Sequence, residues 1–125
     1  MSTDEPPLDE LTRWLSIPEA AQALGVRDRD IRSMVAEQTL LALRIGGGGP
    51  QIPASLLVPD PESDRFQVVP GLRGTVIQLL DAGFSDVEIV RWLLRPNDEL
   101  DATPAQALAQ LRTHAVRRSA QALAF

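Results

Sequence analysis

The stretch SIPEAAQALGVRDRDIRSMVAEQTLLALRIGGGGPQIP, residues 16–53, decides the fold. Ser16 followed by Glu19 is a capping box, so a helix starts there and runs over about Pro18 to Leu24. Gly25 stops it, since glycine readily takes the left-handed cap. A second helix follows over about Asp28 to Glu37. Then LLALRI (40–45) has strand character, GGGG (46–49) suits only a turn or loop, and PQIP (50–53) reads as a short return strand. Pro50 and Pro53 lack ladder donors, which confines that strand to an edge.

Outside this block, residues 1–12 (MSTDEPPLDELT) are acidic and hold little to bury, so a disordered arm is expected. Residues 59–65 (PDPESDR) read as a linker. Two more capping boxes, Ser85–Glu88 and Thr103–Gln106, mark later helix starts, and Pro104 suits a first helical position. Helices are expected around Leu72–Ala82 and over Asp86–Leu94, with one or two more from Pro104 onward. The apolar stripes Val76, Leu79, Leu80, then Ile89, Trp92, Leu93, then Leu108, Leu111, Val116 read as core. The fold class is thus mainly α with a small β-wing: residues 13–58 form the helix-turn-helix and ribbon, packed with a C-terminal helical domain over 66–125.

With 125 residues and ordinary apolar content, one compact domain or two very small ones sharing a core are expected. No cysteine is present, so disulfides and thiolate metal sites are excluded. An apolar signal segment is missing too, and a cytoplasmic protein with no membrane partner is expected. All twelve basic side chains are arginine. The net charge of −5 does not suit a nucleic-acid binder, but its distribution does. Residues 1–12 carry −4 and residues 59–65 carry −2, whereas residues 13–58 carry +1 and residues 66–125 are neutral. The acidity lies outside the helix-turn-helix.

At 100° per residue, Ile31, Met34 and Val35 share one side of the second helix. They can pack on Ala20, Ala21, Leu24 and Val26. Arg29, Arg32, Ser33 and Ala36 share the opposite side. That side offers two guanidiniums, a hydroxyl and a small residue to a partner, which suits guanine edges and phosphates. It also suits plain solvent. Arg27 at the helix entrance and Arg44 beside the ribbon tip add phosphate contacts. Four glycines at that tip cost backbone entropy and add no core, so Gly47 and Gly48 are candidates for lying against a sugar-phosphate backbone. A nucleotide-binding loop is the rival, but no Lys-Ser/Thr follows and Pro50 replaces a helix start.

These residues carry a resemblance. AAQALGV, DIRSMV and LLALRI are similar to the winged helix-turn-helix of the MerR and excisionase class. With VPGLRGTVIQLLDAGFSDVEIVRWLLRPNDEL and the ending HAVRRSAQALAF, the chain resembles a small actinobacterial family of winged helix-turn-helix DNA-binding proteins. The resemblance implies double-stranded DNA as partner, reached by the second helix and the wing at 46–49. It also implies that the N-terminal arm is a serine/threonine kinase target, with Thr3 and Thr12 the candidates. Two departures stand out. Arg27 replaces the usual Ser or Thr before the second helix and Gln38-Thr39 replaces the usual glycine after it, so the capping is expected to be weaker or shifted to Asp28.

WLLRPNDELDATPAQAL (92–108) resembles the C-terminal domain of Xre/ParS antitoxins, with Ala102 where glycine is common. That likeness implies a helical partner-binding domain, and the C-terminal helices are the expected surface for a homodimer. His114 is the only histidine and has no second ligand with which to build a metal site. Asp98, Glu99 and Asp101 follow Pro96-Asn97 in a turn, where acids serve as caps. Neither an enzyme nor a cofactor is expected. The function expected is sequence-specific DNA binding by a transcriptional regulator, with an antitoxin-like protein-binding module as the alternative.

Overall fold

The computed structural model describes residues 6–123, and the chain is mainly α with a small β-wing, as expected. A short helix α1 (Leu8–Leu11) leads into strand β1 (Trp14–Ser16), then helices α2 (Ile17–Leu24) and α3 (Asp28–Ala36). Strands β2 (Leu43–Arg44) and β3 (Pro50–Pro53) follow. A single 3₁₀ turn (Ala54–Leu56) joins β3 to a second hairpin, β4 (Leu57–Pro59) and β5 (Phe66–Val68). Four helices close the chain: α4 (Leu72–Asp81), α5 (Asp86–Leu94), α6 (Pro104–Ala109) and α7 (Thr113–Ala122). One continuous apolar core runs through both halves, from Ile17, Ala20 and Ile31 to Leu93, Leu108 and Val116.

The three capping boxes are all formed. Ser16, Ser85 and Thr103 each accept the backbone N–H three residues on, at 3.2, 3.2 and 3.1 Å, and each donates its own backbone N–H to the side chain of that residue. These bonds are local in sequence, so the starts of α2, α5 and α6 follow from a few residues each. Hydrogen bonds from the backbone N–H and side chain of Ser16 hold the Glu19 carboxyl below its usual range. Ser85 does the same to Glu88.

Three expectations change. PQIP is the middle strand of the three-stranded sheet, not an edge: the order is β1-β3-β2. The prolines are tolerated because each sits at a strand end with one neighbour. Pro53 pairs only with Trp14, and Pro50 pairs only with Arg44. Residues 59–65 are not a linker but the tip of the β4–β5 hairpin. Asp60 N–H donates to the Arg65 carbonyl at 2.9 Å, and the Asp60 carboxylate takes Glu62 N–H at 2.9 Å and the Ser63 hydroxyl at 3.1 Å. The described part of the N-terminal arm is also built in: the Trp14 indole donates to the Leu8 carbonyl at 2.9 Å, and Arg91 on α5 donates to the Pro6 carbonyl at 2.9 Å.

Leu111 leaves the expected core stripe and is 72% exposed. Helix α6 ends at Ala109, and Leu111 takes φ 62°, which turns it outward while Arg112 N–H closes on the Ala107 carbonyl at 2.9 Å. The connection before α6 is held by Asn97. Its amide donates to the Ser119 hydroxyl at 3.0 Å and accepts Glu99 N–H at 2.9 Å.

Gln38 closes α3 in the left-handed region, at φ 61°, while Thr39 N–H reaches back to the Met34 carbonyl at 2.9 Å. A left-handed non-glycine residue costs roughly 1–2 kcal/mol. Gln38→Gly should therefore raise stability by about 0.5–1 kcal/mol after the extra entropy of the unfolded chain, seen as a higher thermal midpoint. A lowered midpoint would contradict this. The capping carboxylates have their own signature. Their folded-state pKa is depressed, so the unfolded chain takes up the protons first as pH falls. Their contribution is present above the ordinary carboxylate pKa and lost as pH falls through the folded value. Glu88→Gln should flatten the decline in urea-unfolding midpoint between neutral pH and pH about 3; an unaltered decline would contradict it.

Candidate nucleic-acid interface

The site is organised by how α3 lies on α2. Ile31 is fully buried, and Met34 and Val35 are half-buried on the same side. Ala20 and Ala21 are buried beneath, and Leu24 is half-buried. Two small residues let the helices approach closely. Val26 departs from the expected packing and is 38% exposed, because Gly25 at φ +71° turns the chain outward. Arg29, Arg32, Ser33 and Ala36 all lie exposed on the opposite side.

The helix entrance differs from expectation. Arg27 is the first flanking residue, but the cap is made by Asp30, whose Oδ2 accepts the Arg27 N–H at 3.0 Å. Asp28 forms no cap bond and lies exposed in the first turn. The Arg27 side chain is thereby left outward. Arg65, from the second hairpin, lies across the α2–α3 turn; a Cβ on Gly25 would stand 2.6 Å from its Cδ. No bond or ion pair among the described residues engages the guanidiniums of Arg27, Arg29, Arg32 or Arg44.

Arg44 is exposed at the end of β2. The tip beyond it is open: a Cβ added at any of Gly46, Gly47, Gly48 or Gly49 would meet no described residue within 4 Å. Only Gly46 has a positive φ, at 70°. The fold therefore requires one glycine at this tip and leaves Gly47, Gly48 and Gly49 without a structural reason. The structure thus brings Arg27, Arg29, Arg32 and Ser33 onto α3 and its entrance, with Arg44, Gly47 and Gly48 on the hairpin.

Of the expected modification sites, Thr3 lies outside the described residues. The Thr12 hydroxyl accepts the Ser55 N–H at 3.2 Å and lies 2.7 Å from the Ser55 hydroxyl, so a phosphate there would displace Ser55. One basic residue at the site was not legible in the sequence. Arg73, at the start of α4, donates its Nε to the Glu37 carbonyl at 3.2 Å and so holds the C-terminal end of α3. Its signal is tertiary, since 36 residues separate the partners.

No helix of the described residues is long and apolar enough to cross a membrane, and no three metal-ligating side chains converge among them. A groove of about 420 Å³ beside α2, lined by Leu15, Glu19, Ala23, Leu57 and Phe66 among others, includes none of the α3 arginines.

Residues 69–124 match the Rv2175c C-terminal domain, a domain of unknown function. The whole chain is 31% identical over 137 aligned residues to the DNA-binding protein Rv2175c of Mycobacterium tuberculosis (strain ATCC 25618 / H37Rv), covering 85% of that protein. The fold is similar to the NMR structure of Rv2175c, with a TM-score of 0.71 at 32% identity, again over all of this chain and 85% of the other. This identity, over an alignment that covers the whole chain, establishes kinship: the chain belongs to the Rv2175c family.

Proposed function

We propose that this protein binds double-stranded DNA in a sequence-specific way and acts as a transcriptional regulator. In this reading residues 16–53 are a winged helix-turn-helix, with α3 in the major groove and the Gly46–Gly49 tip against the backbone. The relative's name as a DNA-binding protein supports DNA as the partner. The observation that carries the reading is the exposed face of α3, where Arg29, Arg32 and Ser33 stand together with no side-chain partner among the described residues. Arginine there pairs with guanine O6 and N7 or with phosphate. Arg27 and Arg44 take flanking phosphates. The three glycines that the fold does not require are explained by close approach, because any side chain at 47 or 48 would stand between the tip and the sugar-phosphate surface.

One such head spans few base pairs, so regulation by this reading uses two copies on adjacent half-sites. The C-terminal helices supply the contact in this reading, where Phe84, Val87, Trp92 and Leu123 line a groove. Selection of bound duplexes from a random pool should then return a palindrome; a single unpaired half-site would contradict the paired arrangement.

Mobility shift with the selected duplex tests the interface itself. Arg29→Ala/Arg32→Ala should weaken binding at least about tenfold, given roughly 1–3 kcal/mol for each base-reading contact. Gly47→Glu/Gly48→Glu should also weaken it while leaving the thermal midpoint unchanged, since nothing packs on the tip. Wild-type affinity in the arginine double variant would remove α3 from the interface.

A further inference from the structure

Gly74 is the third residue of α4, inside a regular helix and without a positive φ. A glycine there costs roughly 1 kcal/mol of helix stability relative to alanine. The structure shows what occupies the space: a Cβ at Gly74 would collide with Nη2 of Arg117, a residue of α7. The Arg117 guanidinium lies over the bare Gly74 backbone, and the Gln78 amide of α4 donates to the Arg117 carbonyl at 3.1 Å, tying the Arg117 backbone to α4. Arg117 remains exposed, and no described residue bonds its guanidinium.

Its neighbour is Arg73, the residue next to Gly74. Arg73 spends its Nε on the Glu37 carbonyl at the end of α3, and its two Nη groups bond to no described residue. Both side chains are exposed: Arg73 stands at the C-terminal end of α3, and the Arg117 guanidinium lies over the backbone of the next residue along α4, Gly74. Asp81 lines the same groove as Arg117, but it lies about 10 Å along α4 from Gly74 at 1.5 Å per residue. A helix that gives up stability to seat a cation with no partner among the described residues is arranged for an external anion. Continuity with α3 indicates which one.

We propose that Arg73 and Arg117 form a phosphate clamp through which the C-terminal helical half grips the duplex, extending the interface beyond the base pairs facing α3. The proposal rests on the DNA-binding reading above. Free phosphate offers the same chemistry, but a single small ion has no need of a site aligned with the end of α3.

The test uses the full chain and duplexes of two lengths, one covering only the selected site and one extended on both sides. Arg117→Ala should weaken binding to the long duplex by about threefold or more and reduce the slope of log affinity against log salt by about 1. Arg117→Glu should weaken it further, and the short duplex should respond less to either. Gly74→Ala keeps the charge but unseats it, so it should lose affinity while raising or keeping the thermal midpoint. If Arg29→Ala/Arg32→Ala loses binding while all three of these variants match wild type in affinity and salt slope, the clamp is wrong and the reading of α3 stands. If the wild-type chain binds neither duplex, both are wrong. Equal losses on short and long duplexes would also overturn the clamp as a flanking contact.

Discussion

The burial of Ile31 is the constraint on which the proposed interface depends. Ile31 is fully buried, and a helix has only one rotational freedom about its axis. At about 100° per residue, fixing Ile31 inward places Arg32, Ala36, Arg29 and Ser33 roughly 100° to 200° away. All four are exposed. One apolar contact with the α2 surface therefore sets the direction of every polar side chain on the outer face. Truncating such a side chain costs about 2–5 kcal/mol, so the phase is strongly held. The direction of the helix is held separately, by the Asp30 cap at its start and by Arg73 at its end.

The two halves are joined by more than proximity. The core is continuous, and the polar ties run both ways. Arg73 of the C-terminal half caps α3, while Arg91 holds the carbonyl of Pro6 ahead of α1. The β4–β5 hairpin fills the gap that the acidic stretch seemed to leave open, and its Arg65 lies over the turn between α2 and α3. The α3 helix is therefore framed by parts of the chain that are remote in sequence. The proposed base-reading role calls for this, because side chains must be positioned by rigid elements rather than by loops.

What could be read from the sequence divides by the range of the interaction. Helices α2, α5 and α6 were legible because a capping box is complete within four residues, and the face of α3 because its periodicity is internal. Strand β1 was not: Trp14–Ser16 has three residues, too few for an alternation to register. The central place of β3 was hidden because proline argues against a middle strand unless one knows that each proline has only one neighbour. The 59–65 stretch carried the composition of a linker while forming a hairpin tip closed by Asp60. Leu111 fitted an apolar spacing that the left-handed turn at its own position breaks. Arg73 and Arg117 were invisible as a pair, since 44 residues of sequence separate them and only the packing of α7 on α4 joins them.

In the proposed complex, DNA meets this protein on the face phased by Ile31. Titrating duplex DNA into isotopically labelled protein and following the backbone amide signals tests it most directly. The largest shifts should fall on residues 27–36 and on Gly46–Gly49, with Arg73 and Arg117 moving on longer duplexes. Shifts confined to the groove lined by Phe84, Val87 and Trp92, with α3 unmoved, would contradict it.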